Sequence, residues 1–375
     1  MSEENIRNTE RPIRVLQAIF SFYHGGAQAM IINLHKAMDR NKIQFDYIVD
    51  HPEYEGLLPA VKELGSNVYS IPAFNGHNAV ELRKKWDRFF EDHPEYKIMH
   101  CHIRSYASLF IPIAKKHGVT VIEHSHNTSS GSGIRSLASK ILQFPLRYQA
   151  DYCFACSKEA GQWLYGKNIV DKDNFYIINN AIDTERFVFS KAIRDEYRKQ
   201  FSIEKDAKVY IQVGRFDPQK NHEFTISLFR KHLEKNPKDL LLLVGDGELR
   251  DRIEGMIAEY EIGPHVILLS RRNDVNCLLQ MADCFLMPSF WEGLSVAAVE
   301  AQASDITCLM SMNVDQNVNI SGKCRFLPLS EETWLEQMEE VNADRKDVSK
   351  VIVDAGFDIK ENAKWLSDFY ERIVK

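Results

Sequence analysis

The chain has 375 residues, of which 44% are apolar and 27% are charged. This composition excludes a disordered or fibrous protein, and the length is enough for two domains that each bury a core. The formal net charge of −6 gives no overall electrostatic reason to bind nucleic acid.

Two further features of the sequence bear on location and redox state. It contains no run of 18 apolar residues, and its first segment, MSEENIRNTERPIR, lacks the apolar core of a signal peptide, so we expect a cytoplasmic protein. The seven cysteines are scattered and odd in number, which predicts free thiols. Cys153 and Cys156 form a C-x-x-C, but within a predicted strand these positions face opposite sides, so we do not expect a metal or redox pair.

Short apolar runs alternate with helical patterns along the chain. IRVLQAIF, FDYIVD, KIMHCHI and VTVIEHSH are each followed by a helical pattern, and KVYIQVGRF, LLLLVGDG, HVILLS, DCFLMPS and ITCLMS form a second series after a charged stretch at 183–205. This alternation predicts an α/β protein with two Rossmann-like, doubly wound domains. We place them at residues 1–185 and 186–358, with an amphipathic helix at 359–375 that packs back towards the N-terminal domain. Ligands of such sheets bind beyond the carboxyl ends of the strands, which predicts an interdomain cleft.

The segment VGRFDPQKN places two cations directly after a predicted strand. Arg215 and Lys220 lie on one loop at the head of a helix that starts near His222. A guanidinium and an ammonium beside a helix N-terminus can neutralise a diphosphate. Two solvated loop cations are the alternative interpretation. LLLLVGDGEL follows the next strand, but it lacks the third glycine of a dinucleotide fingerprint.

Glycine and histidine patterns mark strand ends in the first half. Gly25 and Gly26 follow the first strand, where they permit either a tight turn or close approach of a ligand. HCH at 100–102 and HSH at 124–126 each put two histidines on one face of a strand. No carboxylate or thiol sits at a zinc-ligand spacing, so we expect hydrogen-bonded histidines rather than a metal site. His126 is suited to bind a sugar hydroxyl as a neutral imidazole.

The stretch SFWEGLSVAAVEAQA carries Glu292 on a turn and Glu300 on the helix that follows. The backbone amides between Gly293 and Val296 open this helix and are suited to a phosphate or sugar oxygen. Each carboxylate can accept two hydroxyl protons from a sugar. Without the other motifs, glutamates on a helix surface would be the default interpretation.

Together, these motifs resemble the retaining glycosyltransferases of family 4, which have the GT-B fold. The features that match are Glu-x7-Glu at Glu292 and Glu300, VGRFDPQKN, VGDGEL, the GGAQ loop and HSHN, in an order that covers nearly the whole chain. The sequence is most similar to bacterial capsule and exopolysaccharide transferases. The resemblance implies a hexose or N-acetylhexosamine donor, a UDP-sugar, and a glycan or polyprenyl-diphosphate-linked acceptor, with no metal and no cofactor.

The resemblance also implies roles for individual residues. Arg215 and Lys220 would bind the donor diphosphate, Glu300 the ribose and Glu292 the transferred sugar. The turn at Ser270, Arg271 and Arg272 would contact the base. The implied catalytic residues are His126, Arg215, Lys220 and Glu292, and the implied donor-binding residues are Gly25, Gly26, Gly214, Arg215, Lys220, Arg271, Arg272, Glu292, Gly293, Leu294, Ser295 and Glu300.

The sequence departs from the family pattern at one place. Asp305, Ile306 and Thr307 stand where the family usually has Gly-x-Pro, which predicts an altered loop below the donor. Asp171 and Asp173 form a D-x-D in a polar loop, which we interpret as solvated charge. A UDP-sugar 2-epimerase and a catalytically silent nucleotide-sugar-binding subunit remain alternatives, although the epimerase would need clustered acid and base residues that the sequence does not indicate.

A basic amphipathic segment lies between Glu123 and Asp151. No acidic residue occurs there, and Arg135, Lys140 and Arg147 alternate with apolar residues. Such a segment can rest on anionic lipid and bring a polyprenyl-linked acceptor to the site, which predicts peripheral contact with the membrane. An ordinary helix packed on the sheet is the alternative.

Overall fold

The chain folds into two compact units. The computed structural model describes residues 11–23, 26–126, 134–342 and 344–374. The first unit holds the described residues up to Ala181 and from Ile359 onward, and the second holds Ile182–Asp358. The first boundary therefore falls four residues before the predicted one, and the C-terminal helix belongs to the first unit.

The first unit is built on a seven-stranded parallel sheet in the order β3-β2-β1-β4-β5-β6-β7. Its strands are β1 (Ile13–Ile19), β2 (Ile43–Val49), β3 (Val68–Ser70), β4 (Ile98–Cys101), β5 (Thr120–Ser125), β6 (Tyr152–Ala155) and β7 (Phe175–Ile177). Its helices are α1 (Gly26–Ala37), α2 (Leu58–Glu63), α3 (Ala79–Asp92), α4 (Ile111–Lys116), α5 (Ile134–Gln143), α6 (Leu146–Gln149), α7 (Lys158–Tyr165) and, at the C-terminal end, α16 (Ile359–Val374).

Both faces of this sheet are covered, because side chains alternate along each strand. On β1, Leu16 and Ala18 pack into a cluster with residues of α3 and α4. Val15 and Ile19 point to the opposite face, which packs against α1 and α16. α16 buries Leu366, Phe369 and Tyr370 there.

The second unit is built on a six-stranded parallel sheet in the order β10-β9-β8-β11-β12-β13. Its strands are β8 (Val209–Val213), β9 (Leu240–Val244), β10 (Val266–Leu269), β11 (Cys284–Met287), β12 (Thr307–Ser311) and β13 (Cys324–Leu327). Its helices are α8 (Thr184–Phe187), α9 (Lys191–Gln200), α10 (His222–Leu233), α11 (Arg250–Glu259), α12 (Val275–Met281), α13 (Val296–Ala303), α14 (Glu331–Glu339) and α15 (Ser349–Asp354). Apolar clusters cover both faces of this sheet as well.

The charged stretch at 183–205 forms α8 and α9. Arg194 donates to Asp283 at 2.6 Å, and Arg198 donates to the same carboxylate at 3.4 Å. Asp283 is buried and also accepts from the backbone amide of Val209 at the start of β8. Two cations thus join this stretch to the second sheet, which the sequence pattern alone did not indicate.

The two parallel, doubly wound sheets confirm the predicted Rossmann-like architecture. All seven cysteines are free thiols, as their number and scatter predicted. Among the described residues, no helix combines the length and apolar character needed to cross a membrane.

Candidate functional site

The cationic loop, Gly214–Lys220, begins where β8 ends. Arg215 is exposed, with 56% of its side chain accessible and a single long contact of 3.8 Å to Asp217. Asp217 accepts from the backbone amide of Lys220 at 3.2 Å, which closes a short 3-10 turn before α10. Gln212 fixes the far end of the loop, because its Nε2 donates to the carbonyl of Lys220 at 2.8 Å. The loop thus carries one cation with an exposed side chain, Arg215, and one whose backbone is held by hydrogen bonds, Lys220.

Lys220 pairs with Glu292 across 72 positions of sequence. Its Nζ lies 2.5 Å from Glu292 Oε1, and the two side chains are only 17% and 10% exposed. Gln219 holds the Glu292 loop in place by accepting from the amide of Phe290 and donating to the carbonyl of Trp291. The structure therefore brings together the two predicted motifs of the second unit.

The start of α13 carries unpaired backbone amides. Ser295 precedes the helix but its side chain makes no capping hydrogen bond. The amides of Gly293, Leu294, Ser295, Val296 and Ala297 donate to no other residue in the described part of the chain. These donors follow directly after Glu292, so an anion bound near the Lys220 ammonium can also meet the positive end of the helix.

Glu300 lies one and a half turns into α13, and its side chain is partly buried. Burial raises the pKa of this carboxyl to about 7, and the charge of Arg186 opposes the rise. Arg186 itself donates to the carbonyl of Asn273 and to Asn276 Oδ1, at 3.2 Å each. The side-chain carboxylate of Glu300 makes no hydrogen bond to another described residue, so its oxygens are available to a ligand.

The VGDG turn supports the cationic loop. A Cβ on Gly245 would lie 1.9 Å from the carbonyl oxygen of Gly214, and one on Gly247 would lie 2.4 Å from that of Phe216. The amide of Gly214 also donates to the carbonyl of Val244, and the amide of Phe216 donates to the carbonyl of Asp246, at 3.0 Å each. Both glycines are therefore needed for backbone packing under the loop.

The predicted base-binding turn follows β10. Arg272 donates to both carboxylate oxygens of Asp274, at 2.8 and 2.6 Å, and Arg271 is exposed. Arg250 donates to the hydroxyl of Ser270 at 3.2 Å, which ties the turn to α11. The turn lies at the carboxyl end of its strand, as expected, and its contact with a base remains a prediction.

Asp305, which stands where the resemblance places a glycine, lies in the turn after α13. It adopts a left-handed conformation with φ of 52°, which is costly for a residue with a Cβ. Its buried carboxylate forms an ion pair of 2.7 Å with Lys323 and accepts from the amide of Lys346. These contacts offset the strain of the turn.

Of the predicted residues in the first unit, Gly26 begins α1, and Gly25 lies outside the described residues.

The four histidines lie at the carboxyl ends of β4 and β5, as two hydrogen-bonded pairs. His100 Nε2 lies 3.1 Å from His124 Nδ1, and His102 Nδ1 lies 2.7 Å from His126 Nε2.

The two pairs lie on top of one another, and we call them the histidine stack. The ring centroids of His100 and His102 are 4.5 Å apart at an interplanar angle of 17°, and those of His124 and His126 are 4.1 Å apart at 25°. Burial lowers the pKa of His126 to about 3, helped by the charge of Arg104, and lowers the pKa of the other three well below the usual range. The rings are therefore neutral at physiological pH.

His100, His102 and His124 also offer ligand atoms within 4.8 Å of one another. However, ring nitrogens of the stack hydrogen-bond to each other, His100 to His124 and His102 to His126. The hydrogen-bonded interpretation therefore accounts for the geometry, and the absence of a metal remains a prediction.

Sequence reasoning missed the polar residues that position the charged ones. Gln212 and Gln219 hold the two loops, Asn221 donates to the carbonyl of Pro288 at 3.1 Å, and Thr225 donates to Gln212 at 2.6 Å. All four lie within or beside VGRFDPQKN. Their proximity in sequence to Arg215 and Lys220 was the only sign in the sequence that they position these cations.

Comparison with known proteins assigns a class to this fold and site. The model of "Glycosyltransferase Family 4" matches residues 24–186, and that of "Glycosyl transferases group 1" matches residues 193–351. A glycosyltransferase named EpsF from Bacillus subtilis is 27% identical over 368 residues, which cover 95% of this chain and 96% of EpsF. An Escherichia coli protein named UDP-Gal:α-D-GlcNAc-diphosphoundecaprenol α-1,3-galactosyltransferase is 27% identical, over 60% of this chain and 59% of its own.

Solved structures show the same fold. Anabaena HepE in complex with UDP superposes with a TM-score of 0.74 at 16% identity, over 96% of this chain and 100% of that chain. WaaG, a glycosyltransferase involved in lipopolysaccharide biosynthesis, superposes with a TM-score of 0.65 at 16% identity, over 94% and 95%.

The two doubly wound sheets, the cationic loop and the two family matches define a glycosyltransferase of the GT-B fold. More narrowly, the chain belongs to the family 4 glycosyltransferases, as its motifs indicated. The relatives are named as transferases, so neither the epimerase nor the silent binding subunit is favoured.

Proposed function

We propose that this protein transfers a hexose or N-acetylhexosamine from a UDP-sugar to a lipid-linked saccharide, with retention of the anomeric configuration, in surface polysaccharide synthesis. The observation that carries the proposal is the partly buried Lys220–Glu292 pair beside the unpaired amides of α13. This arrangement offers positive charge to a diphosphate and a carboxylate to a sugar within one short stretch of structure.

The leaving diphosphate gains negative charge in the transition state. Arg215, Lys220 and the α13 amides are fixed donors that would stabilise this charge, and such preorganised donors are commonly the largest source of catalysis. Arg215 is free to close on the ligand because, in the described part of the chain, its guanidinium forms an ion pair with Asp217 alone, at 3.8 Å. Since two cations and a helix terminus supply the positive charge, the mechanism we propose requires no divalent ion.

The two carboxylates would divide the sugar contacts. Glu292 already accepts from Lys220 through Oε1, which leaves Oε2 for a hydroxyl of the transferred sugar. Glu300 would accept the two ribose hydroxyls in its ionised form. Because no carboxylate of the first unit can be assigned as a nucleophile, we propose front-face attack instead of a double displacement.

Two observations support a lipid-linked acceptor: the names of two relatives and the exposed apolar residues of the first unit. The Escherichia coli relative and a Campylobacter jejuni relative are named for substrates that carry diphosphoundecaprenol. Ile141, Phe144 and Tyr148 are exposed at 67%, 54% and 74%, and Arg147 lies over the Phe144 ring at 4.5 Å. We call these four residues the α5–α6 patch, and we propose that it rests on the cytoplasmic face of the membrane.

A panel of nucleotide sugars tests the proposal. The protein is incubated with UDP-hexoses and UDP-N-acetylhexosamines, a synthetic polyprenyl-diphosphate-linked saccharide and EDTA, and the products are followed by NMR. We expect one UDP-sugar to give a product whose new linkage has the anomeric configuration of the donor. An inverted product, interconversion of free UDP-sugars, or a strict need for metal would contradict the proposal.

A further inference from the structure

A cleft in the first unit lies between the carboxyl end of β7 and the first turns of α16. Its volume of about 280 Å³ is close to the lower limit of about 300 Å³ for small-molecule sites. It is lined by Ile177, Ile178, Glu361, Asn362 and Trp365. We call it the α16 cleft, and none of the predicted donor-binding residues belongs to it.

The Trp365 ring gives the α16 cleft an apolar surface that is held in place. It stacks on Phe369 with ring centroids 5.3 Å apart at an interplanar angle of 18°, and its centroid lies 5.4 Å from that of Tyr176. Trp365 is nevertheless 40% exposed, and Ile177 is 48% exposed. Because neighbouring rings already restrict the indole, a ligand that packs on it costs little conformational entropy.

Two polar side chains of α16 complete the lining. Glu361 is exposed and lies four positions before Trp365, so both are on one face of the helix. Asn362 Nδ2 donates to the carbonyl of Asn179 at 3.4 Å, which holds the amide beside the end of β7. A carboxylate has about four acceptor sites, and an amide side chain both donates and accepts. Each group can therefore bind a hydroxyl in addition to a partner within the chain.

This lining favours a neutral ligand that has one apolar face. None of the five described residues that line the cleft is cationic, and the Glu361 carboxylate would repel a phosphate. A purely apolar ligand would instead leave the carboxylate without water or a hydrogen-bond donor.

A sugar ring has both of the required properties. The axial C–H groups of a pyranose can pack on the negative face of an indole, and its hydroxyls can bind a carboxylate and an amide. We propose that the α16 cleft binds a neutral pyranose unit of a glycan, in addition to the sugar site proposed at Glu292.

A cavity of similar size in the second unit lacks this combination. It has a volume of about 320 Å³, lies between α10 and α14, and is lined mainly by lysine and glutamate side chains, with His232 and Leu335. No Trp, Tyr or Phe occurs among its described lining residues. The lining, and not the size, therefore distinguishes the α16 cleft.

Fluorine NMR of the full chain labelled with 5-fluorotryptophan tests the proposal. The chain has five tryptophans, and Trp365→Phe identifies the signal of Trp365. We expect methyl hexopyranosides or methyl N-acetylhexosaminides to shift this signal saturably, while the signals of the buried Trp86 and Trp334 stay in place. Since neither a nucleotide sugar nor turnover enters the measurement, its result does not depend on the proposed transfer.

Two other probes separate a sugar ring from other ligands. Sorbitol carries the hydroxyls of a hexose on an open chain, and tetramethylammonium is a cation that can bind an aromatic ring beside a carboxylate. We expect neither to shift the Trp365 signal at the concentrations at which the pyranosides saturate it. An equal shift with sorbitol, a shift with tetramethylammonium alone, or no shift with any pyranoside would overturn the proposal.

Two variants of exposed residues on α16 test the polar contact. Glu361→Ala should raise the apparent Kd of the pyranoside roughly three- to tenfold, the range of one hydrogen bond. Lys364→Ala is the matched control, because Lys364 is exposed on the same helix and does not line the cleft. Its Kd should equal that of the unsubstituted protein. Equal Kd values for the two variants would also overturn the proposal.

Discussion

Glu300 is the predicted ligand contact that titrates near neutral pH. Burial raises the pKa of its carboxyl to about 7, and the folded chain supplies it with no hydrogen-bond donor among the described residues. Because the ionised form accepts two ribose hydroxyls and the protonated form can also donate, the two forms differ in their fit to a diol. Donor binding should therefore depend on the charge of this one residue.

We predict that the affinity for the UDP-sugar falls as pH drops below about 7. Protonation of Glu300 competes with ribose binding, so the apparent Kd should rise up to about tenfold per pH unit below its pKa. Calorimetric titration of the UDP-sugar from pH 5 to 8 measures this, because its diphosphate lacks the terminal phosphate proton that UDP gains near pH 6. Glu300→Gln should bind the UDP-sugar weakly and with little dependence on pH over the same range. A wild-type Kd that stays constant between pH 5.5 and 7.5 would contradict the role of Glu300.

Asp305 is the residue at which the sequence departs from the family pattern. A glycine would adopt its left-handed conformation without strain, whereas the strain at Asp305 is offset by contacts with Lys323 and with the amide of Lys346. The sequence did not indicate these contacts, because the two partners lie 18 and 41 positions away. The altered loop below the donor stays a prediction.

At the scale of elements, the site depends on two loops that hold each other. The VGDG turn packs under the cationic loop, and Gln219 links the cationic loop to the one that carries Glu292. The sequence predicted each loop, because Gly, Asp and Pro mark the ends of strands. It did not predict the contact between them, because positions 72 apart show no pattern in a single sequence.

The α5–α6 patch is the element that we predict to contact lipid. Ile141→Ser combined with Phe144→Ser should weaken cosedimentation with anionic vesicles at least about tenfold, because two exposed apolar side chains lose their burial in the bilayer interface. Val80→Ser is the matched control, since Val80 is 69% exposed on α3 of the same unit. Binding that is equal in the two variants, or that does not depend on anionic lipid, would rule out this surface.

At the scale of the whole molecule, the alternation of apolar runs and helical patterns predicted both parallel sheets. The prediction was correct because each strand of a parallel sheet covered on both faces is apolar on both sides, so it occurs in the sequence as a continuous apolar run. The stretch at 183–205 was harder, because α9 is joined to the second sheet by ion pairs of Arg194 and Arg198 with Asp283, a residue more than 80 positions further along the chain. The residues of the site were recognisable by their chemistry, and their partners were visible only in the structure.

The proposed transfer depends on a diphosphate bound at the cationic loop. Arg215→Ala gives the most direct test, because Arg215 is exposed and its loss leaves no buried charge unpaired. Removing a donor to the developing charge should cost about 2.7 to 4 kcal/mol in barrier height. Lys220→Ala should have a comparable effect, but it also leaves Glu292 without its partner.

The decisive measurement is the turnover of the preferred UDP-sugar by Arg215→Ala beside Lys235→Ala, a control that removes an exposed cation of the same unit away from the loop. We predict that Arg215→Ala lowers turnover at least about a hundredfold and that Lys235→Ala leaves it unchanged. A folded Arg215→Ala protein with a near-normal rate would contradict the account.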